Sequence, residues 1–300
     1  MSEISTPPPT ESAATATVLS CIDGSVYSHS VSLHSAWAAT RMNAGVQVLH
    51  TIDAPKTGTE AVDLSGSLGV DTRDELLSEM VAVEQTRNRL ARERGKHILE
   101  QARALLVAEG VNPVSTLQQH GPLVEAVTRI EQERTPDLLV IGKRGEAADF
   151  AKLHLGTNLE RVIRASSAPV LVAARKFDPI KRFLIAYDGG PSVEKAIRYA
   201  IDQPLLRGLE CLLLRAGRID EKAEWFLQEA AGKLRQAGFD VDARSIPGDP
   251  DRVIADEVRQ EGIQLLVMGA YGHSRIRQLI IGSTTTAMVR TCLVPVLMFR

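Results

Sequence analysis

The feature that most constrains this chain is that it contains itself twice. Gly121 and Gly248 are each followed 21 residues later by a second glycine, Gly142 and Gly269. Between them, Asp137-Leu138-Leu139-Val140-Ile141 stands opposite Gln264-Leu265-Leu266-Val267-Met268. Further along, Gly156 and Gly282 are each followed by matching apolar runs, Ala168-Pro169-Val170-Leu171-Val172 and Val294-Pro295-Val296-Leu297-Met298. Upstream, Val18 to Gly24 matches Phe183 to Gly189, with Asp23 opposite Asp188. Self-similarity in this order marks a tandem duplication, and any fold must be a unit that can stand beside its own copy. The boundaries are residues 16–175 and 181–300, with a junction near Arg175 to Pro179 and residues 1–15 as a disordered tail.

The copies differ in length. Asp23 and Asp188 are 165 residues apart but Gly142 and Gly269 only 127, so the first copy carries about 38 additional residues. The surplus lies at about 54–91. It opens with a Gly/Ser/Asp-rich stretch, Thr57 to Asp71, and continues as a charged, helix-favouring run from Asp74 to Arg94. Insertions of this size are lids, interaction arms or disorder, and disorder followed by a long exposed helix is the expectation here.

Within the second copy, short apolar runs alternate with amphipathic ones. Phe183 to Tyr187 reads as a strand that ends in the turn Asp188-Gly189-Gly190-Pro191. Leu209 to Arg215, Val241 to Ile246, Gln264 to Met268 and Val294 to Phe299 are further strands. Ala223, Phe226, Leu227, Ala230, Ala231 and Leu234 follow helical spacing up to a terminating Gly238, Asp251 to Gln260 is helical, and another helix opens at Ser283. Apolar strands separated by helices indicate a parallel sheet covered on both faces. Each copy is therefore expected to be a five-stranded, doubly wound α/β domain. Each would end in an apolar edge strand, Pro169 to Ala173 and Pro295 to Phe299. Bare edges of that kind aggregate, so the two are expected to pair within one chain as an intramolecular pseudo-dimer.

Composition narrows the partners. A formal charge of −2 offers no basic surface for nucleic acid or anionic membrane, and 4% aromatic residues give no base-stacking platform. Cys21, Cys211 and Cys292 lie in or beside apolar runs at no metal-like spacing, as small core residues do. No run is long and apolar enough to span a bilayer, and the Ser/Thr/Pro-rich start lacks the basic and apolar regions of a signal peptide. A cytoplasmic location is the expectation. His29, His34, His50, His97, His120, His154 and His273 lack ligand spacing, and they read as solvated or capping residues.

The second copy carries the chemistry. Doubly wound sheets bind ligands beyond the C-terminal ends of their strands, where strand order reverses. Asp188 follows the first strand there, and Gly269-Ala270-Tyr271-Gly272 follows the fourth. Gly282-Ser283-Thr284-Thr285 completes the spacing G-x2-G-x9-G-S-T at the start of a helix. Glycines let the backbone approach a ligand, and the free N–H groups of a helix start attract anions. His273, Arg275 and Arg277 in the intervening loop would add positive charge. The set reads as a phosphate cradle. It is not a Walker A loop, which needs Gly-Lys-Ser/Thr, and not a dinucleotide fingerprint, which follows the first strand. For Asp23 and Asp188, capping the following turn or touching a ligand outweighs service as an Mg ligand or general base. The chain shows no serine elbow and no Cys–His pair.

At Asp188-Gly189, the run from Gly269 to Thr285 and the closing Val294-Pro295-Val296-Leu297, the chain resembles the universal stress protein family. The resemblance spans both copies apart from the insertion and the tail. It implies strand order 3-2-1-4-5 and an ATP site, with ADP or AMP as alternatives and Mg accompanying the nucleotide. The cofactor-binding set it implies is Asp188, Met268, Gly269, Gly272, His273, Arg275, Gly282, Ser283, Thr284 and Thr285, with Asp188 near the adenine and ribose. The counterparts in the first copy are Asp23, Gly142, Gly145, Gly156 and Thr157. That copy departs from the pattern: ten residues, not nine, separate Gly145 from Gly156, and Glu146 and Asp149 add repelling charge that Lys143 and Arg144 partly offset. An unequal pair is expected, with nucleotide mainly in the second copy. The functional expectation is a stress-response regulatory module that a protein partner reads, with a further homodimer open. A slow ATP hydrolase or phosphotransferase and a nucleotide-free scaffold using the insertion are the alternatives.

Overall fold

The computed structural model describes residues 16–52, 70–143, 157–270 and 283–300. The first half runs β1 (Thr17–Ile22), α1 (Ser28–Met42), β2 (Gly45–Ile52), α2 (Val70–Ala108), β3 (Val114–His120), α3 (Leu123–Glu133), β4 (Leu138–Gly142), α4 (Thr157–Ala165) and β5 (Val170–Ala173). The second half runs β6 (Arg182–Ala186), α5 (Pro191–Asp202), a 3-10 turn (Pro204–Leu206), β7 (Glu210–Ala216), α6 (Glu221–Gln236), β8 (Val241–Ile246), α7 (Pro250–Gln260), β9 (Leu265–Gly269), α8 (Ser283–Thr291) and β10 (Val296–Phe299).

All ten strands form one sheet in the order β3-β2-β1-β4-β5-β10-β9-β6-β7-β8. Each half therefore has the order 3-2-1-4-5. Every neighbouring pair is parallel except β5 and β10, which meet antiparallel with Leu171 opposite Leu297. The expected pairing of the two edge strands is thus the seam of the molecule. The central strands are apolar throughout because both faces are covered: β4, β5, β9 and β10 are buried along nearly their whole length. The outermost strands, β3 and β8, are only partly covered and carry polar residues, as an edge exposed to water requires.

Each face of the sheet holds one hydrophobic cluster that crosses the seam. Val31, Leu106, Phe183, Ile197 and Leu234 share one cluster, and Leu139, Val162, Leu212, Val258 and Met288 share the other. α1 also reaches the second half directly. Arg41 Nε donates to the Leu205 carbonyl at 2.5 Å, and its terminal nitrogen to that of Arg207.

The structure alters the sequence reading at several places. α6 buries Leu227, Ala230, Ala231 and Leu234 as expected, but Phe226 is exposed beside Trp225. His34 and His50 are buried rather than solvated. Each bonds through Nδ1 to a backbone carbonyl, His34 to Ser30 at 2.7 Å and His50 to Ile22 at 3.1 Å. Burial pulls the His34 imidazole down to about 4. The three cysteines are buried and free, and burial pushes the Cys21 thiol up to about 12.

The charged part of the insertion belongs to α2, a 39-residue helix. Leu99, Ala102 and Leu106 anchor its C-terminal half in the core. Gly95 marks the point of departure: a side chain there would begin 1.8 Å from Gln118 Nε2 and 2.7 Å from His50 Cδ2. Residues 78–90 are exposed without exception. The tail at 1–15 and the Gly/Ser/Asp-rich stretch at 53–69 lie outside the described residues.

Candidate functional site

The strand order reverses between β1 and β4 and between β6 and β9, so each half opens a crevice at the C-terminal ends of those strands. In the second half, β6 runs into Asp188, whose Oδ1 accepts the Gly190 N–H at 2.8 Å. This side-chain-to-backbone turn needs Gly189 at φ +71°, a conformation that favours glycine. Gly190 then caps α5, with Pro191 in the first turn. Asp188 is exposed at the crevice mouth, and a side chain on Gly189 would meet nothing nearer than Tyr187 Oη at 3.9 Å. Burial and the adjacent Glu194, 3.2 Å away, raise the Tyr187 phenol well above its usual range.

On the other side of the crevice, the buried Thr285 donates through Oγ1 to the Gly269 carbonyl at 3.2 Å. That bond ties the first turn of α8 to the end of β9. The first turn of α8 has no acidic residue, so its N–H groups and positive dipole end are not neutralised from within the helix. Gly269 is small for a packing reason as well: a Cβ would sit 2.8 Å from Ser192 Cβ, against the start of α5. The same contact brings β9 and α5 together. The Met268 side chain is buried in the core, which leaves only its backbone at the crevice.

The first half repeats the topology and alters the details. Asp23 Oδ1 accepts the Ser25 N–H at 3.0 Å, and Ser28 Oγ accepts the Gly24 N–H at 2.9 Å. Here the turn is roofed: a side chain on Gly24 would begin 2.5 Å from Ile98 Cδ1 on α2. Glu160 occupies the first turn of α4 and pairs with Arg164 at 3.4 Å. Lys143, expected only to offset acidic charge in the loop, has a different role. It is buried, and its ammonium donates across the seam to the Cys292 carbonyl and, at 3.1 Å, to that of Val294. Its counterpart Ala270 is a fully buried core residue. A related cation contact runs the other way, from the Arg300 guanidinium to the Arg164 carbonyl at the end of α4.

Of the residues singled out in sequence, the structure brings together Asp188, Gly269 and Thr285 around one crevice, and Asp23 with Gly142 around the other. Gly145, Gly156, Gly272, His273, Arg275 and Gly282 lie outside the described residues, as do the side chains of Thr157, Ser283 and Thr284. No cluster of His, Cys, Asp and Glu fit to hold a metal ion occurs among the described residues. Sequence reasoning missed Ser192, Ile98 and the seam role of Lys143. Each acts through a residue distant in sequence, and none carries a local motif.

A continuous sheet with two reversal crevices, made by one duplicated unit, defines a fused pair of doubly wound α/β domains. The sequence profile of the universal stress protein family matches residues 15–174 and 179–300. The chain is 35% identical over 286 residues to universal stress protein Slr1230 of Synechocystis, covering 94% of this chain and 99% of that one. It is 24% identical over 303 residues to universal stress protein Rv2005c of Mycobacterium tuberculosis, covering 93% and 95%. A crystal structure of a universal stress protein from Archaeoglobus fulgidus superposes with a TM-score of 0.68 at 20% identity, covering 96% of this chain and 99% of that one. The chain belongs to the universal stress protein family. No described helix is long and apolar enough to cross a membrane.

Proposed function

We propose that the chain is a regulatory module that binds an adenine nucleotide in its second half, with the phosphates at the start of α8 and the base and ribose toward Asp188. The observation that carries this reading is the Thr285–Gly269 bond, which holds the acid-free helix start beside the exposed turn at Asp188. An anion placed there gains contacts that the first crevice does not offer, each worth ~0.3–1 kcal/mol. Ser283 and Thr284 would add hydroxyl donors to the phosphates; Thr285, committed to Gly269, acts by positioning. ATP is the expected ligand, with ADP or AMP fitting the same cradle and Mg accompanying the phosphates. Occupancy would bias the segment between Gly272 and Gly282, which a protein partner could read provided it contacts the two states differently.

Native mass spectrometry of the purified chain tests this. Intact ATP retained over hours supports the module, and ADP accumulating at a steady rate would make the chain a slow hydrolase. Protein that neither carries nor takes up adenine nucleotide overturns the reading.

A further inference from the structure

We infer that the projecting part of α2 is a self-association arm, and that its partner is the same segment of a second copy lying antiparallel. From residue 78 to residue 92 the helix extends ~22 Å at 1.5 Å per residue, and only Ala91 in that stretch is even partly covered. Most helical stability in proteins comes from packing an amphipathic face, and this extension of α2 packs against nothing from residue 78 to residue 90. It has a face to bury. Met80, Val83 and Leu90 are each more than half exposed, at 59%, 67% and 61%. With Arg87 between Val83 and Leu90, they follow the alternating three- and four-residue spacing of a two-helix seam. The Arg87 stem can lie along the apolar seam while its guanidinium reaches out to a carboxylate.

Charge selects the partner and its direction. Glu79 and Glu84 precede Arg87, Arg89, Arg92 and Arg94 along the arm, with Glu93, paired with Lys96 at 2.9 Å, the exception there. In the sequence the acidic side continues to Asp71, Asp74 and Glu75, with Arg73 the exception. An antiparallel copy sets acidic end against basic end, whereas a parallel copy sets like against like. The body of the protein gives the same answer. The arm is rooted at Gly95 against His50 and Gln118, so an antiparallel crossing places the two bodies at opposite ends, and a parallel one brings them side by side. The seam between β5 and β10 is already satisfied within the chain, so this contact would be the one that joins two chains.

Sedimentation equilibrium of the full chain tests the inference. A reversible dimer is expected, weakened by roughly 100-fold in Val83→Glu/Leu90→Glu. Glu79→Arg/Glu84→Arg and Arg87→Glu/Arg89→Glu should each be monomeric alone and dimeric when mixed. Orientation is read by oxidation, since the native cysteines are buried and silent. Thr86→Cys, flanking the seam near the expected two-fold axis, should crosslink, and Glu79→Cys should not crosslink to itself. Helix content by circular dichroism confirms that the variants fold. A chain that stays monomeric up to roughly 1 mM, as it would if residues 53–69 or another protein covered the arm, overturns the proposal. So does a dimer indifferent to these charges, or one in which Glu79→Cys self-crosslinks.

Discussion

The two halves of the molecule share one topology and part company at the same three places. At the turn after the first strand, Gly24 lies under Ile98 while Gly189, beside the exposed Asp188, has open space. At the residue after the strand-four glycine, Lys143 leaves for the opposite half while Ala270 stays in the core. At the helix that follows, Glu160 occupies the first turn of α4 while α8 has no acid there. A duplicated unit can therefore keep its architecture while the polar details around its crevice change, because the sheet is held by apolar burial. Each change in the first half also has a structural use: Ile98 seats α2, and Lys143 fastens the seam.

The strongest way to break this comparison is at the glycines. Gly282→Val should weaken nucleotide affinity by about 1,000-fold, or ~4 kcal/mol, by isothermal titration calorimetry, and Gly156→Val should leave it unchanged. The reverse pattern would assign the working site to the first half.

Acid should separate the halves next. His34 occupies the α1 position that Tyr199 holds in α5, counted from the strand-one aspartates. The folded imidazole is held at about 4, below its ordinary 6.5, mainly by burial and partly by Lys143, with Asp178 opposing. The unfolded chain therefore takes up this proton first as the pH falls. The associated stability is intact above pH 6.5 and is lost progressively down to about pH 4, a fall of up to ~3 kcal/mol. Urea unfolding at a series of pH values should show that slope, and His34→Gln should flatten it.

A smaller effect sharpens the packing role of the second-half glycine. Gly269→Val forces a side chain onto Ser192 and should cost ~1–3 kcal/mol in urea unfolding, with partial recovery in the double variant carrying Ser192→Gly. Smallest, Lys143→Met strands the carbonyls of Cys292 and Val294 and should cost ~1–2 kcal/mol, without altering nucleotide affinity in the second half.

Much of this architecture was legible before any coordinates. The all-apolar runs at Leu138 to Ile141 and Leu265 to Met268 can only be strands covered on both faces, and the paired runs ending at Ala173 and Phe299 pointed to each other as edges needing a partner. The turn at Asp188-Gly189 was legible for the same kind of reason: its chemistry is local. What sequence could not show was any role set by a distant neighbour. Gly269 looked like a ligand-approach glycine, and its contact with Ser192 depends on how α5 meets β9. Lys143 read as partly offsetting the acidic charge of its loop, while its acceptors lie 149 and 151 residues away. His34 has no spacing that betrays burial.

The short connection from β5 to β6, residues 174–181, has a consequence for how the molecule can come apart. Tethered surfaces meet at a local concentration on the order of millimolar whatever the amount of protein made. Dilution cannot dissolve the β5–β10 junction, and strangers cannot exchange into it while the chain stays folded. Damage to either half is therefore never diluted away by reassortment; it travels with its twin, in fixed one-to-one proportion, for the lifetime of the molecule.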